Sequence, residues 1–304
     1  MNRLLPAEAG LRRLERLGLR WRALANQGFV ESRRGPRPGS SRELLGIRAW
    51  EVGDDWRDLD WAVTARFGRP HVRVYERSVE ATLVLLLDAS ASMSFGTPTR
   101  FEYAHALAYA LAHLTLVHND RVGAMVFADG PVATLPVGRG RAQWGAVRDF
   151  LGAQAPRAGT RLPDLPASLA TSASVRVLIS DFCTPEAFAT SLPRLARRSA
   201  STVALHLVDS SDTGADDSRD DGEREADEEV ELVDAESGEV RAGWIGQAER
   251  AAFRDRSRAQ VAQVAAMCRA AGVRHVPLST ATPVLTARER ALVGAGVLGR
   301  AGSS

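Results

Sequence analysis

Residues 80–92 read EATLVLLLDASAS. The run from Ala81 to Leu87 is short, apolar and closed by an aspartate. Such a run predicts a strand buried on both faces, as in a parallel sheet covered by helices. Asp88, Ser90 and Ser92 follow directly. They place one carboxylate and two hydroxyls where the strand gives way to a loop. In open α/β sheets, ligands collect beyond the carboxyl ends of the strands.

A second apolar run, VRVLISD over 175–181, ends in Asp181 in the same way. Between the two, the spacing predicts a helix over 100–118, a strand over 121–130, its hairpin partner at 131–136 and a helix over 141–153. After Asp181 come a helix over 185–198, a strand over 201–209, a β-hairpin over 230–245, a helix over 247–271, a strand over 273–279 and a terminal helix over 285–298. This alternation predicts an α/β fold with a mostly parallel, Rossmann-like sheet and helices on both faces. A helix is expected over 8–26, and a solvated loop over the Arg/Gly/Pro/Ser-rich residues 33–42. Residues 210–229, acidic and nearly free of apolar side chains, read as a mobile loop. The expected organisation is an N-terminal segment, 1–79, packing on a main domain, 80–304.

The 304 residues are 45% hydrophobic and 25% charged, with a net charge of +2. That is globular composition, without the basic excess that nucleic-acid binding draws on. All 39 basic residues besides histidine are arginines, so a P-loop, which requires lysine, is excluded. The two cysteines, Cys183 and Cys268, form no C-x-x-C and suit a reducing compartment. No stretch is apolar over 18 residues, so no membrane span is expected. The expected location is cytoplasmic.

A third piece, Gly159-Thr160, lies between the two strand-terminal aspartates in sequence. Hydroxyls from Ser90, Ser92 and Thr160, with carboxylates from Asp88 and Asp181, make an all-oxygen set suited to a hard divalent ion. Mg²⁺ is the expected ion, with Mn²⁺ or Ca²⁺ as alternatives. Neutral hydroxyl ligands would leave it electrophilic toward an external carboxylate. No G-x-S-x-G elbow occurs, and no histidine lies close in sequence to Cys183. A non-enzymatic binding role is therefore expected. The alternatives are a Mg²⁺-dependent hydrolase and a nucleic-acid-binding protein using the arginine-rich N-terminal segment.

D-x-S-x-S, a distant threonine and a strand-terminal aspartate together resemble the metal-ion-dependent adhesion site of von Willebrand factor A domains. By that resemblance Ser90, Ser92 and Thr160 are hydroxyl ligands, with Asp88 and Asp181 as carboxylates. Ser180-Asp181-Phe182 departs from the common threonine-aspartate-glycine and lacks its glycine turn. Upstream, IRAWEVGDDWRDLDW over 47–61 resembles the bacterial domain of unknown function 58 family, whose pattern falls here on Gly53, Asp54, Asp55, Arg57, Asp60 and Trp61. The resemblance implies a MoxR-type AAA+ ATPase, or its client, as the partner presenting an acidic residue. Within this motif, Arg57 and Arg66 are expected to pair with Asp54, Asp55 or Asp60, while Trp56 and Trp61 pack against the main domain.

Overall fold

A computed structural model describes residues 17–19, 42–77, 82–171, 174–197, 199–209, 228–233, 240–284 and 298–300. The chain divides into two compact units, residues 32–80 and the remainder.

The main unit is built on a six-stranded sheet. Its strands are β4 (Thr82–Asp88), β5 (Arg121–Ala128), β6 (Gly130–Gly138), β7 (Ser174–Ser180), β8 (Ser201–Val208) and β11 (Arg274–Ser279). The spatial order is β11-β8-β7-β4-β5-β6. All neighbours are parallel except β5 and β6, an antiparallel pair at one edge. From β4 the chain first builds outward through β5 and β6. It then returns to the other side of β4 and builds through β7 and β8. The order therefore reverses between β4 and β7, and that reversal opens a crevice at their carboxyl ends.

Every residue of β4 and of β7 is buried. Their alternate side chains enter two separate cores. Leu83, Leu85 and Leu87 join a core with α2 (Arg100–Val117) and α3 (Gly140–Gly152). Val84 and Leu86 face Phe188 in α4 (Glu186–Ala189), Leu192 in α5 (Ser191–Ala196), and Val264 and Cys268 in α6 (Gln247–Ala270). An apolar run on both strand faces follows from having helices on both sides. Leu86 is fully buried. Leu86→Ala is expected to destabilise the protein by about 2–5 kcal/mol, read as a shift in its urea unfolding midpoint.

Arg176 interrupts the apolar run of β7, yet only 3% of it is exposed. Its guanidinium donates to the carbonyls of Leu195 and Arg197, the latter at 3.1 Å, where α5 ends. Helix termini leave carbonyls without partners, and a buried cation there satisfies them.

The helix expected over 185–198 is broken in two between Ala189 and Ser191. The expected hairpin is β9 (Glu228–Val233) with β10 (Val240–Ile245), in a register bracketing 234–239. The helix expected over 8–26 is contradicted at β1 (Leu17–Leu19), which pairs antiparallel with β12 (Leu298–Arg300). Gly18 opposes Gly299 there, so a long-range ladder prevails over local helical spacing at a residue with poor helix propensity. Residues 8–16, 20–26 and 33–41, residues 210–227 of the expected acidic loop and residues 285–297 of the expected terminal helix lie outside the described residues; the remaining ends differ, Glu228 and Glu229 lying in β9 and Leu298 in β12. No helix among the described residues is long and apolar enough to cross a membrane.

The smaller unit, residues 32–80, is a hairpin of β2 (Arg42–Ala49) and β3 (His71–Arg77) carrying α1 (Trp61–Phe67). Asp60 caps α1, accepting from the backbone N–H groups of Ala62 and Val63 at 3.1 Å. The expected ion pairs are corrected here. Asp54 is gripped by Arg48 at 2.6 and 2.8 Å, and Asp60 by Arg73 at 2.8 Å. The strands bring Arg48 and Arg73 to carboxylates 6 and 13 residues away, while Arg57 stacks over Trp56 with its guanidinium 5.7 Å from the ring centre. Trp56 and Trp61 are each 68% exposed.

Candidate functional site

The two strand-terminal acids lie at the carboxyl ends of β4 and β7, neighbours on either side of the switch in strand order. Asp88 is fully buried. Its Oδ1 accepts from the Ser90 backbone N–H at 2.9 Å, and its Oδ2 from the Ser180 hydroxyl at 2.6 Å. Ser180 in turn accepts from the Phe182 N–H at 2.9 Å. The Ser90 and Ser92 hydroxyls are 3.0 Å apart, and both residues are buried.

Asp181 is 6% exposed. Its Oδ1 accepts from the Cys183 N–H at 3.1 Å, while its Oδ2, although buried, has no hydrogen-bond partner. The Nη1 of Arg100 stands 3.8 Å from that oxygen and also donates to the Ser92 carbonyl at 3.4 Å. The Ser92 hydroxyl lies beside the Asp181 carboxyl and favours its charged form.

Thr160 reaches the same edge on a loop stitched to the sheet on both sides. The Arg157 N–H donates to the Ala89 carbonyl, and the Arg161 N–H to the Ala128 carbonyl, each at 2.7 Å. Ala89 follows β4 and Ala128 ends β5, so the half-buried Thr160 is held where both strands finish. Gly159 permits this approach. It has φ +84°, and a Cβ there would stand 2.6 Å from the Asp129 Cβ.

Electrostatics set this pocket apart. Burial, and then the neighbouring charge of Asp181, push Asp88 up to about 7. Burial also raises Asp181, partly opposed by Arg100. Two carboxylates that resist ionisation while one oxygen lacks a donor form a site short of positive charge. Among the described residues no cluster of three or more His, Cys, Asp or Glu side chains could hold a metal. The donor set here is instead two acids with hydroxyls, the chemistry that hard cations take.

Three contributors were missed from sequence. Ser180 stands in the Ser180-Asp181-Phe182 motif with no role expected of it, yet its hydroxyl holds Asp88. Arg100 opens α2, and nothing local pointed it at Asp181. His206 on β8 contacts His275 on β11 at 3.1 Å and is pushed down to about 3, mainly by burial. It is therefore neutral, and its ring packs 5.3 Å from that of Phe182.

Phe182 corrects the expectation drawn from the missing glycine. Its φ is +49°, so the left-handed turn is present and a phenylalanine adopts it. The fully buried ring packs 4.7 Å from that of Phe188, which holds a conformation that costs a non-glycine residue about 1–2 kcal/mol. Phe182→Ala and Phe182→Gly both leave a cavity and should each cost about 3–5 kcal/mol. Glycine alone relieves the backbone. We therefore expect the glycine variant to be the more stable of the two by about 1 kcal/mol in urea unfolding. Equal stabilities would mean the turn is unstrained.

Comparison with known proteins gives relatives along most of the chain. Uncharacterized protein Rv1480 of Mycobacterium tuberculosis is 33% identical over 255 residues, covering 80% of this chain and 76% of that protein. An uncharacterized protein of Mycobacterium bovis matches equally well. Among solved structures, that of the conserved hypothetical protein BatB from Bacteroides thetaiotaomicron covers 71% of this chain and 98% of its own, at 14% identity and a TM-score of 0.37. The family model described as protein of unknown function DUF58 matches residues 46–263, so both the Gly53–Trp61 motif and the two strand-terminal aspartates fall inside the match, and the chain belongs to the DUF58 family.

Proposed function

We propose that the main unit is a von Willebrand factor A-like module that binds a protein partner through a divalent cation, Mg²⁺ by preference. Asp88, Ser90, Ser92, Thr160 and Asp181 would hold the ion. The observation that carries this reading is the pair of buried carboxylates at the sheet's switch point. One is pushed up to about 7, and the other has a buried oxygen with no donor. Burying two like charges side by side is costly unless a cation compensates them. When bound, the ion supplies an electrophilic position for an external carboxylate oxygen.

The chain's own residues do the rest. Ser90 N–H and Ser180 Oγ orient Asp88, and the Cys183 N–H orients Asp181. Such supporting hydrogen bonds keep ligands aimed. The reading extends to a cytoplasmic adaptor that works with a MoxR-type AAA+ ATPase by binding an Asp or Glu of that ATPase or its client.

Two measurements test it. Calorimetric titration of the metal-free protein should show one Mg²⁺ or Mn²⁺ site, lost in Asp88→Ala. Capture of the ATPase by the full chain should be abolished by EDTA and restored by excess Mg²⁺. A protein that binds no divalent ion ends the proposal, and capture indifferent to EDTA ends the adaptor role.

A further inference from the structure

We propose that Arg100 is a resident counter-cation of this site, which holds metal affinity down until an acidic group engages it. The inference rests on the reading of Asp88, Ser90, Ser92, Thr160 and Asp181 as a divalent-ion site, and concerns how that site is regulated.

Arg100 is the first residue of α2. The helix start is fixed by a reciprocal cap. The Glu102 N–H donates to Thr99 Oγ1, and the Thr99 N–H to Glu102 Oε2, each at 3.1 Å. The Arg100 backbone N–H donates to the Phe95 carbonyl at 2.9 Å. Its side chain is 16% exposed and runs into the site. Nη1 faces the one Asp181 oxygen that lacks a hydrogen bond, and reaches the carbonyl of the candidate ligand Ser92. At 3.8 Å the contact with Asp181 is a charge interaction rather than a made hydrogen bond. A guanidinium so placed partly compensates the carboxylate without saturating it.

Two consequences follow. A divalent ion at Asp181 meets a fixed positive charge a few ångströms away, so its affinity is lower than the ligand set alone would give. A carboxylate brought by a partner is attracted by the ion and the guanidinium together, and guanidinium–carboxylate pairing is among the stronger charge-assisted contacts. The acid neutralises the repulsion, so acid and metal bind cooperatively, and each raises the other's affinity by the same factor. An arginine in this position makes the module respond to metal and acid together rather than to metal alone.

The test is Mn²⁺ titration of the full chain in chloride and in acetate, for wild type, Arg100→Gln and Arg100→Lys. Arg100→Gln should bind Mn²⁺ about tenfold more tightly than wild type in chloride, the scale of a +1/+2 repulsion at short range in a water-like dielectric. Acetate should tighten Mn²⁺ binding by wild type severalfold, and by clearly less in Arg100→Gln, where the ion alone attracts the acid. Arg100→Lys keeps the charge and should stay close to wild type in chloride. Should Arg100→Gln fail to fold, Arg100→Met keeps the apolar stem and carries the same comparison. Wild type and the neutral variant binding Mn²⁺ equally, or the neutral variant binding more weakly, overturns the role of Arg100 alone. Absence of binding by every form overturns the metal site and this inference with it.

Discussion

Asp88→Asn is expected to weaken Mg²⁺ binding by at least about 100-fold, near 2.7 kcal/mol, while raising the melting temperature of the metal-free protein at about pH 8. The two effects have opposite signs because the carboxylate is a liability without a cation and a ligand with one. In the metal-free protein Asp88 is fully buried, and ionising it is opposed first by burial and then by Asp181. Moving its pKa from 3.8 to about 7 corresponds to a penalty on the order of 4 kcal/mol above the upper value. Asparagine has nearly the same shape and removes that charge. Its carbonyl oxygen can still accept from the Ser90 N–H, but the hydrogen bond from Ser180 has to rearrange. One lost neutral hydrogen bond costs about 1 kcal/mol, so the charge effect is the larger. Calorimetry for binding and scanning fluorimetry for melting check the pair. A variant that loses stability at pH 8 and keeps its metal affinity would show Asp88 to be a structural hydrogen-bonding group only.

The second large effect is a reversal of the pH dependence of stability on adding metal. Because the folded pKa of Asp88 lies above the unfolded value, the native state holds the extra proton between about pH 4 and pH 7. The stabilisation is therefore present at low pH. It is lost as pH rises through that window, and becomes flat above about pH 7. Asp181 is raised in the same direction, so it adds to this slope. Saturating Mg²⁺ binds the ionised pair and should stabilise most at high pH, so the melting temperature should climb with pH where that of the metal-free protein falls. Other carboxylates also titrate, and subtracting the Asp88→Asn profile isolates this contribution. Parallel profiles with and without Mg²⁺ would show that no ion engages the pair.

The candidate site was legible in part. Asp88 and Asp181 could be read because each ends an apolar run, and a strand's carboxyl end is where such sheets bind ligands. Ser90 and Ser92 could be read because their spacing is local. Thr160 could be proposed from sequence, but its place at the edge rests on the Arg157 and Arg161 backbone contacts to Ala89 and Ala128. Ser180 and Arg100 carried no local signal: one sits 92 residues from the acid it holds, and the other points from the start of a long helix. In the smaller unit, Asp54 and Asp60 were recognised as ion-pair acceptors. Their partners, Arg48 and Arg73, were not, because adjacency along the chain does not govern which guanidinium a hairpin brings near.

By itself the sequence determined the alternating strands and helices, the burial of β4 and β7, and family membership, since each is written in short-range patterns of apolar and polar side chains. Tertiary structure alone decided the switch in strand order beside β4, the left-handed turn at a phenylalanine, and the gathering of Asp88, Ser180, Asp181 and Arg100 into one buried pocket. Hydrophobic periodicity tells a strand which faces to bury. It does not tell it which neighbour to join, and the charge environment of a site depends on that neighbour.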